Sequence, residues 1–307
     1  MTAVLQRGRA IWERLFFAPE SALNLAAARV IFSVHALWVL LSRDLPANSS
    51  LPPEFWIHVT QAERWRFLIF PGHAALEYGL QLGAAAALLG AALGFMPRLC
   101  CFVSAILLYH LAPLETIFWT PSPYQRGFTI DVLALLTLSA ARCGDALRIG
   151  RPPIAEPSSD YCWPLRLVQL YLAQSYVFSG YAKLYRVGPG WMEPENLRAW
   201  FLLFSQQDQV QRDGALFHAV GPWIAEHWLL CLIAGFYGVA VNLLFVTTVF
   251  ARRARWFLVP DAVFFHTLVL LSLSIFWINT PQLLVFVNWR WVADKVRAKL
   301  TPHAATR

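Results

Sequence analysis

Long apolar runs limit what this chain can fold into more than any other feature. Seven stretches are nearly free of charge: Ala22–Leu41, Ala75–Phe95, Leu99–Pro113, Phe128–Ala141, Pro164–Tyr185, Ile224–Phe250 and Trp256–Trp277. A helix needs roughly 20 mostly apolar residues to cross a bilayer. Inside hydrocarbon each segment also has to satisfy its own backbone N–H and C=O groups, which favours helices. Of the 307 residues, 58% are hydrophobic and 14% are charged, against about 45–50% and about 25% in an ordinary soluble domain. The fold class expected is all-α: a polytopic transmembrane helix bundle of about seven spans. It forms one membrane domain over 1–307, with an arm at 1–20 and a basic tail at 295–307. A further apolar piece, Gln282–Trp291, follows Thr280-Pro281 and is short for a crossing. It reads as an interfacial helix, a re-entrant piece or an eighth span. The 14 Trp and 9 Tyr suit aromatic belts at the membrane boundary.

The net charge of +7 does not point to nucleic acid, because the basic residues sit in short clusters beside the apolar runs. Arg7, Arg9 and Arg14 precede the first run, Arg252, Arg253 and Arg255 separate two others, and Arg290, Lys295, Arg297 and Lys299 follow the last. This is the layout of topology signals and anionic-lipid contacts. With Arg142, Arg148 and Arg151 after the fourth run, the bias predicts a cytoplasmic N-terminus. Seven spans then put the basic tail outside, and an eighth removes that conflict. The preference for Arg over Lys, with abundant Ala, points to a bacterium and its cytoplasmic (inner) membrane. The five cysteines form no Cys-x-x-Cys and no zinc spacing, so neither a metal nor a dithiol mechanism has a visible motif. The first run lacks a small-residue cleavage site after it and reads as a retained anchor.

Ionisable residues within spans are costly and mark candidate sites. Lys183 is the strongest. At 100° per residue, Gln169, Tyr176, Ser179 and Lys183 form one polar face on the fifth run. The plainer reading is a lysine snorkelling to the membrane boundary. His110 and Asp131 lie at the same, outward end of the bundle; they read equally as an interfacial histidine and a helix N-terminal acid. Arg29 and Asp261 are at similar depth on the cytoplasmic side and are expected to pair. His266 is a core histidine or part of a cofactor pocket, and Asn242 an interhelical hydrogen-bonding residue.

A resemblance then emerges. The run Leu165-Arg-Leu-Val-Gln-Leu, continuing through Tyr176-Val-Phe-Ser-Gly-Tyr-Ala-Lys183-Leu to Gly190-Trp191-Met-Glu-Pro-Glu-Asn-Leu, resembles the horizontally transferred transmembrane (HTTM) domain. This is the membrane domain of vitamin K-dependent gamma-carboxylase and its bacterial relatives. Leu25-Ala-Ala-Ala-Arg29-Val-Ile-Phe and Phe265-His266 agree with it, and the likeness covers about 20–290. It implies that a lysine amine deprotonates vitamin K hydroquinone or menaquinol. The quinolate reacts with oxygen to give a strong base, which removes a glutamate gamma proton, and the carbanion captures carbon dioxide. Lys183 matches the family's catalytic lysine, with His110 a candidate helper. Tyr176, Ser179, Asp131, Trp191 and His266 are the candidate quinone-binding residues.

The chain also departs from that pattern. The eukaryotic Asn-His pair before the fourth span is replaced by Thr120-Pro-Ser-Pro-Tyr124, and the large domain that grips a peptide has no counterpart. Two readings follow. One is an enzyme acting on a peptide or small glutamate-like substrate with carbon dioxide and oxygen. The other is a non-catalytic quinone- or lipid-binding or transport protein on the same fold.

Overall fold

A computed structural model describes residues 2–43, 45, 74–116, 128–150, 152, 154, 156–206 and 215–300. The helices in chain order are α1 (Thr2–Phe16), α2 (Ala22–Leu41), α3 (Ala74–Leu93), α4 (Pro97–Thr116), α5 (Thr129–Ala140), α6 (Cys162–Val187), α7 (Pro194–Ser205), α8 (Ala215–Ala225), α9 (Trp228–Leu244), α10 (Thr247–Phe250), α11 (Arg252–Leu273) and α12 (Trp289–Leu300). Among the described residues there is no strand, only an isolated bridge between Glu20 and Ser158, so the all-α expectation holds for them. Four stretches are long and apolar enough to cross a membrane: Ala22–Leu41, Ala74–Leu93, Trp228–Phe250 and Arg252–Leu273. That is compatible with an integral membrane protein. The chain divides into two compact units, one of Met1–Val168 with Val287–Arg307, the other of Gln169–Phe286.

The first unit is built around α2. Ser21 starts the helix by accepting the Leu23 N–H at 3.2 Å, a side-chain cap that occupies an otherwise orphan donor. Leu25, Phe32, Val39 and Leu40 are fully buried, as are Ala26, Ala28 and Ala36. Small residues of this kind let neighbouring helices approach closely, and α3 and α5 both pack on α2. The α3–α4 turn needs glycine at Gly94, where φ is +78° and a Cβ would lie 2.5 Å from the Leu147 carbonyl oxygen. Helix α5 has 12 residues, or about 18 Å of rise, short of a hydrocarbon core of about 30 Å.

One end of this unit gathers four termini. The Leu15 carbonyl at the end of α1 accepts Arg166 Nε at 3.3 Å, near the start of α6. Glu20 and Ser158 exchange two backbone hydrogen bonds. Asn24, in the first turn of α2, donates to Asn288 Oδ1 at 3.2 Å and accepts the Arg290 N–H at 3.0 Å, fixing the start of α12.

In the second unit, Leu197 and Phe201 of α7 pack with Ala225 and Cys231. Helices α6 and α9 touch at Gly180, where a Cβ would lie 2.9 Å from Leu243 Cδ2. The sequence places one span over Ile224–Phe250; instead α8 ends at Ala225, and extended backbone at His227 starts α9. Asn242 bonds the Gly238 carbonyl of its own helix rather than a neighbour. Helix α11 stops at Ser274 in a left-handed conformation, φ 54°. The chain then returns without α-helix through a 3-10 segment, Thr280–Phe286. Trp277 stacks on His266, centroids 4.0 Å apart. Further on, the Val285 carbonyl accepts Gln169 Nε2 at 3.0 Å, and Gln169 Oε1 accepts Arg255 at 3.2 Å. Residue 285 is therefore level with the start of α11. The apolar piece Gln282–Trp291 is thus not one helix: it divides between this returning segment and α12.

Candidate functional site around Lys183

The polar face foreseen on α6 exists, and it carries two sets of contacts. Toward the start of the second unit, Gln169 ties α6 to Val285 and Arg255. One and two turns before the helix ends, Ser179 and Lys183 face each other across the i, i+4 spacing, and Nζ donates to Ser179 Oγ at 2.8 Å. The ammonium also lies 5.5 Å from the Trp191 ring centroid, within cation–π range. Among the described residues no carboxylate bridges Lys183. Lys183 is half-buried, and an ammonium withdrawn from water is normally matched by a counter-charge or several hydrogen bonds, so this amine is lightly compensated.

Between these two sets lies an aromatic cluster. Tyr176 is buried; its hydroxyl shares a 2.9 Å hydrogen bond with His266 Nε2. Its ring stacks on Phe245 at 4.0 Å and meets Trp277 edge-on at 4.9 Å. His266 is the electrostatic neighbour of Lys183. Five expected site residues, Lys183, Ser179, Tyr176, Trp191 and His266, therefore come together in the second unit. Chemically the arrangement offers an amine, a hydroxyl that accepts its hydrogen bond, and an aromatic cluster whose rings stack on one another.

His110 and Asp131 lie in the first unit and are engaged there. His110 Nε2 is 3.1 Å from Glu77 Oε1, whose side chain is fully buried. Asp131 receives His35 Nδ1 at 2.9 and 3.1 Å, with both side chains buried. Neither His35 nor Glu77 was singled out by the sequence, although each is an ionisable residue in an apolar run. The expected Arg29–Asp261 pair is corrected: Arg29 donates to the carbonyls of Cys143, Ala146 and Leu147, and Asp261 accepts from the Tyr237 hydroxyl at 2.8 Å. Each charge is compensated inside its own unit. The fold also buries the free Cys101 and Cys143 thiols completely. Beside that turn, Arg142 bridges Asp145 and Asp160, and burial together with the Asp145 carboxylate pushes the Tyr161 phenol up to about 12. Among the described residues, no group of three or more His, Cys, Asp or Glu is placed to hold a metal. The Tyr124 stretch lies outside the described residues.

No protein-family model matches the chain, and no curated protein or solved structure matches it.

Proposed function

We propose that the chain is an integral membrane protein related to the HTTM domain, in which Lys183 is the base for a reduced quinone. The observation that carries this reading is an amine on α6 without a carboxylate partner among the described residues, held by Ser179 and Trp191 beside the Tyr176–His266–Trp277 cluster. A carboxylase-like reaction, with vitamin K hydroquinone or menaquinol as cofactor, extends from the family resemblance. So does a peptide or small glutamate-like substrate, with carbon dioxide and oxygen. In that reading Tyr176, Ser179, Trp191 and His266 surround the quinone. His110 and Asp131 belong to a separate polar set paired with Glu77 and His35.

The proposed setting is a bacterial cytoplasmic membrane with the N-terminus inside. The Asn24 contacts to Asn288 and Arg290 support an even number of crossings, because they bring α12 back to the end where α2 starts. The segment after α11 serves as the returning crossing; irregular backbone is tolerated at that depth when protein covers it. Cysteines replacing Ala254 and Ala298 are both expected to resist an impermeant thiol reagent added outside. Labelling of the Ala298 site from outside contradicts the even count.

The functional test is oxygen consumption by protein in lipid nanodiscs supplied with menaquinol. Lys183→Met keeps the apolar stem and removes the amine. It should lower turnover by about 10²–10⁴-fold, the usual contribution of a positioned base, while quinone binding persists. Turnover equal to that of the parent removes the assignment. The position of Lys183 one turn before Val187, the end of α6, also favours a second reading. In that reading the amine snorkels, and the same surface binds or transports a quinone or lipid without chemistry.

A further inference from the structure

Two helices stand apart from the apolar pattern of the first unit, and both are amphipathic. On α1, Leu5, Ile11, Trp12, Leu15 and Phe16 fall on one face at 100° per residue, with Arg7 and Arg14 on the other and Arg9 at its edge. On α12, Trp289, Val292, Val296 and Leu300 share a face rimmed by Arg290, Lys295, Arg297 and Lys299. Among the described residues these apolar faces are largely open: Leu5 is 65% exposed, Trp12 56%, Val296 50% and Leu300 77%, while Leu15, Phe16, Trp289 and Val292, nearer the attached ends, are half-buried. The acids on these helices are few. Glu13 pairs with Arg9 at 2.8 Å and Asp294 with Arg290 at 3.1 Å, which leaves α1 and α12 each with a basic excess.

Their placement supplies the second observation. The last turn of α1 is fixed by Arg166 and Cys162 to the start of α6, and the first turn of α12 by Asn24 to the start of α2. Helix α12 thus attaches at the start of α2, which is long and apolar enough to cross a membrane, and α1 leads into that same start five residues on. Arg98, Arg142 and Arg148 lie on the turns at the Arg29 level of the same unit, with Asp145 and Asp160 engaged by Arg142. An exposed apolar face with a basic rim, at the mouth of a spanning helix, matches a leaflet surface carrying negative headgroups. A second copy of the chain is a poorer occupant, since it would bring two basic rims together.

We propose that α1 and α12 together form a foot that lies in the plane of one leaflet and binds anionic phospholipid headgroups. The apolar faces enter the headgroup–acyl boundary, and Arg7, Arg14, Lys295 and Lys299 contact the phosphates. This surface is independent of Lys183 and of quinone chemistry.

The test uses the full chain in non-ionic detergent, incubated with equal amounts of phosphatidylglycerol and phosphatidylcholine of the same acyl chains. Bound lipids are counted by native mass spectrometry. The parent is expected to retain phosphatidylglycerol at least about tenfold over phosphatidylcholine, since each basic residue near an anionic surface contributes about fivefold. Replacing Arg7, Arg14, Lys295 and Lys299 with Gln should bring the preference to within about twofold. If that variant does not fold, salt decides with the parent itself. Raising salt from about 0.1 to about 1 M shortens the screening length from about 10 to about 3 Å and should collapse the preference. No preference in the parent overturns the proposal. So does a preference that survives in the folded variant or at high salt, or self-association through these faces without lipid retention.

Discussion

One amine of the second unit is compensated differently from the charges of the first. In the first, three deeply placed ionisable groups meet partners on other elements: Arg29 the carbonyls of the 143–147 turn, Asp131 the ring of His35, Glu77 the ring of His110. In the second, Asp261 meets the Tyr237 hydroxyl and Arg255 the Gln169 side chain, whereas Lys183, among the described residues, bonds a hydroxyl of its own helix and the face of Trp191. Compensated charges hold helices together, and a lightly compensated amine costs stability unless it is kept for some other purpose. The contrast separates charges that tie helices together from an amine that does not.

The largest expected effect comes from breaking a compensated pair. His35→Leu leaves the Asp131 carboxylate buried without its ring, which should cost about 3–5 kcal/mol. It should sharply lower the yield of folded protein in a thermal aggregation assay. Lys183→Met in the same assay should match or exceed the stability of the parent. If the two variants lose stability equally, the contrast between the units fails.

Arg29→Met comes next. It strips donors from the Cys143 and Leu147 carbonyls, at about 1–3 kcal/mol for each buried group left unmade. Exchanging Arg29 and Asp261 should not restore stability, because Asp261 is engaged by Tyr237. Recovery in the exchanged variant, measured by thermal unfolding, would restore the pairing expected from sequence. Asp261→Asn should cost under about 1 kcal/mol, since an amide oxygen still accepts from Tyr237.

Tyr176→Phe should have the smallest effect on stability, about 1 kcal/mol or less, because the stacking on Phe245 and Trp277 does not involve the hydroxyl. Its effect on quinone binding should be larger than its effect on folding, as the His266 ring loses its fixed hydrogen bond. An unchanged quinone affinity removes Tyr176 and His266 from the site.

What the sequence revealed follows from how local each cause is. The bounds of α2 read as Ala22–Leu41 because they depend on Ser21 and an uninterrupted apolar run. The α6 face of Gln169, Tyr176, Ser179 and Lys183 was legible because helical spacing alone aligns it. Trp277 was not, since it lies on irregular backbone whose return along α11 is fixed by Gln169, Arg255 and Val285. Arg29 was recognised as a charge in need of a partner and given the wrong one. Residue counting measures depth along a helix, whereas its carbonyl partners depend on how the 143–147 turn folds over it. His35 and Glu77 were overlooked for the same reason: their meaning comes from the helix opposite.

The most direct measurement of the central claim is menaquinol-dependent oxygen consumption by Lys183→Arg in nanodiscs. Arginine keeps the length and the charge and stays protonated at any accessible pH, so it snorkels as well as lysine but cannot serve as a base. The account predicts activity as low as in Lys183→Met, with folded yield and quinone binding near the parent. Parental activity in Lys183→Arg would contradict it and leave Lys183 as a boundary anchor.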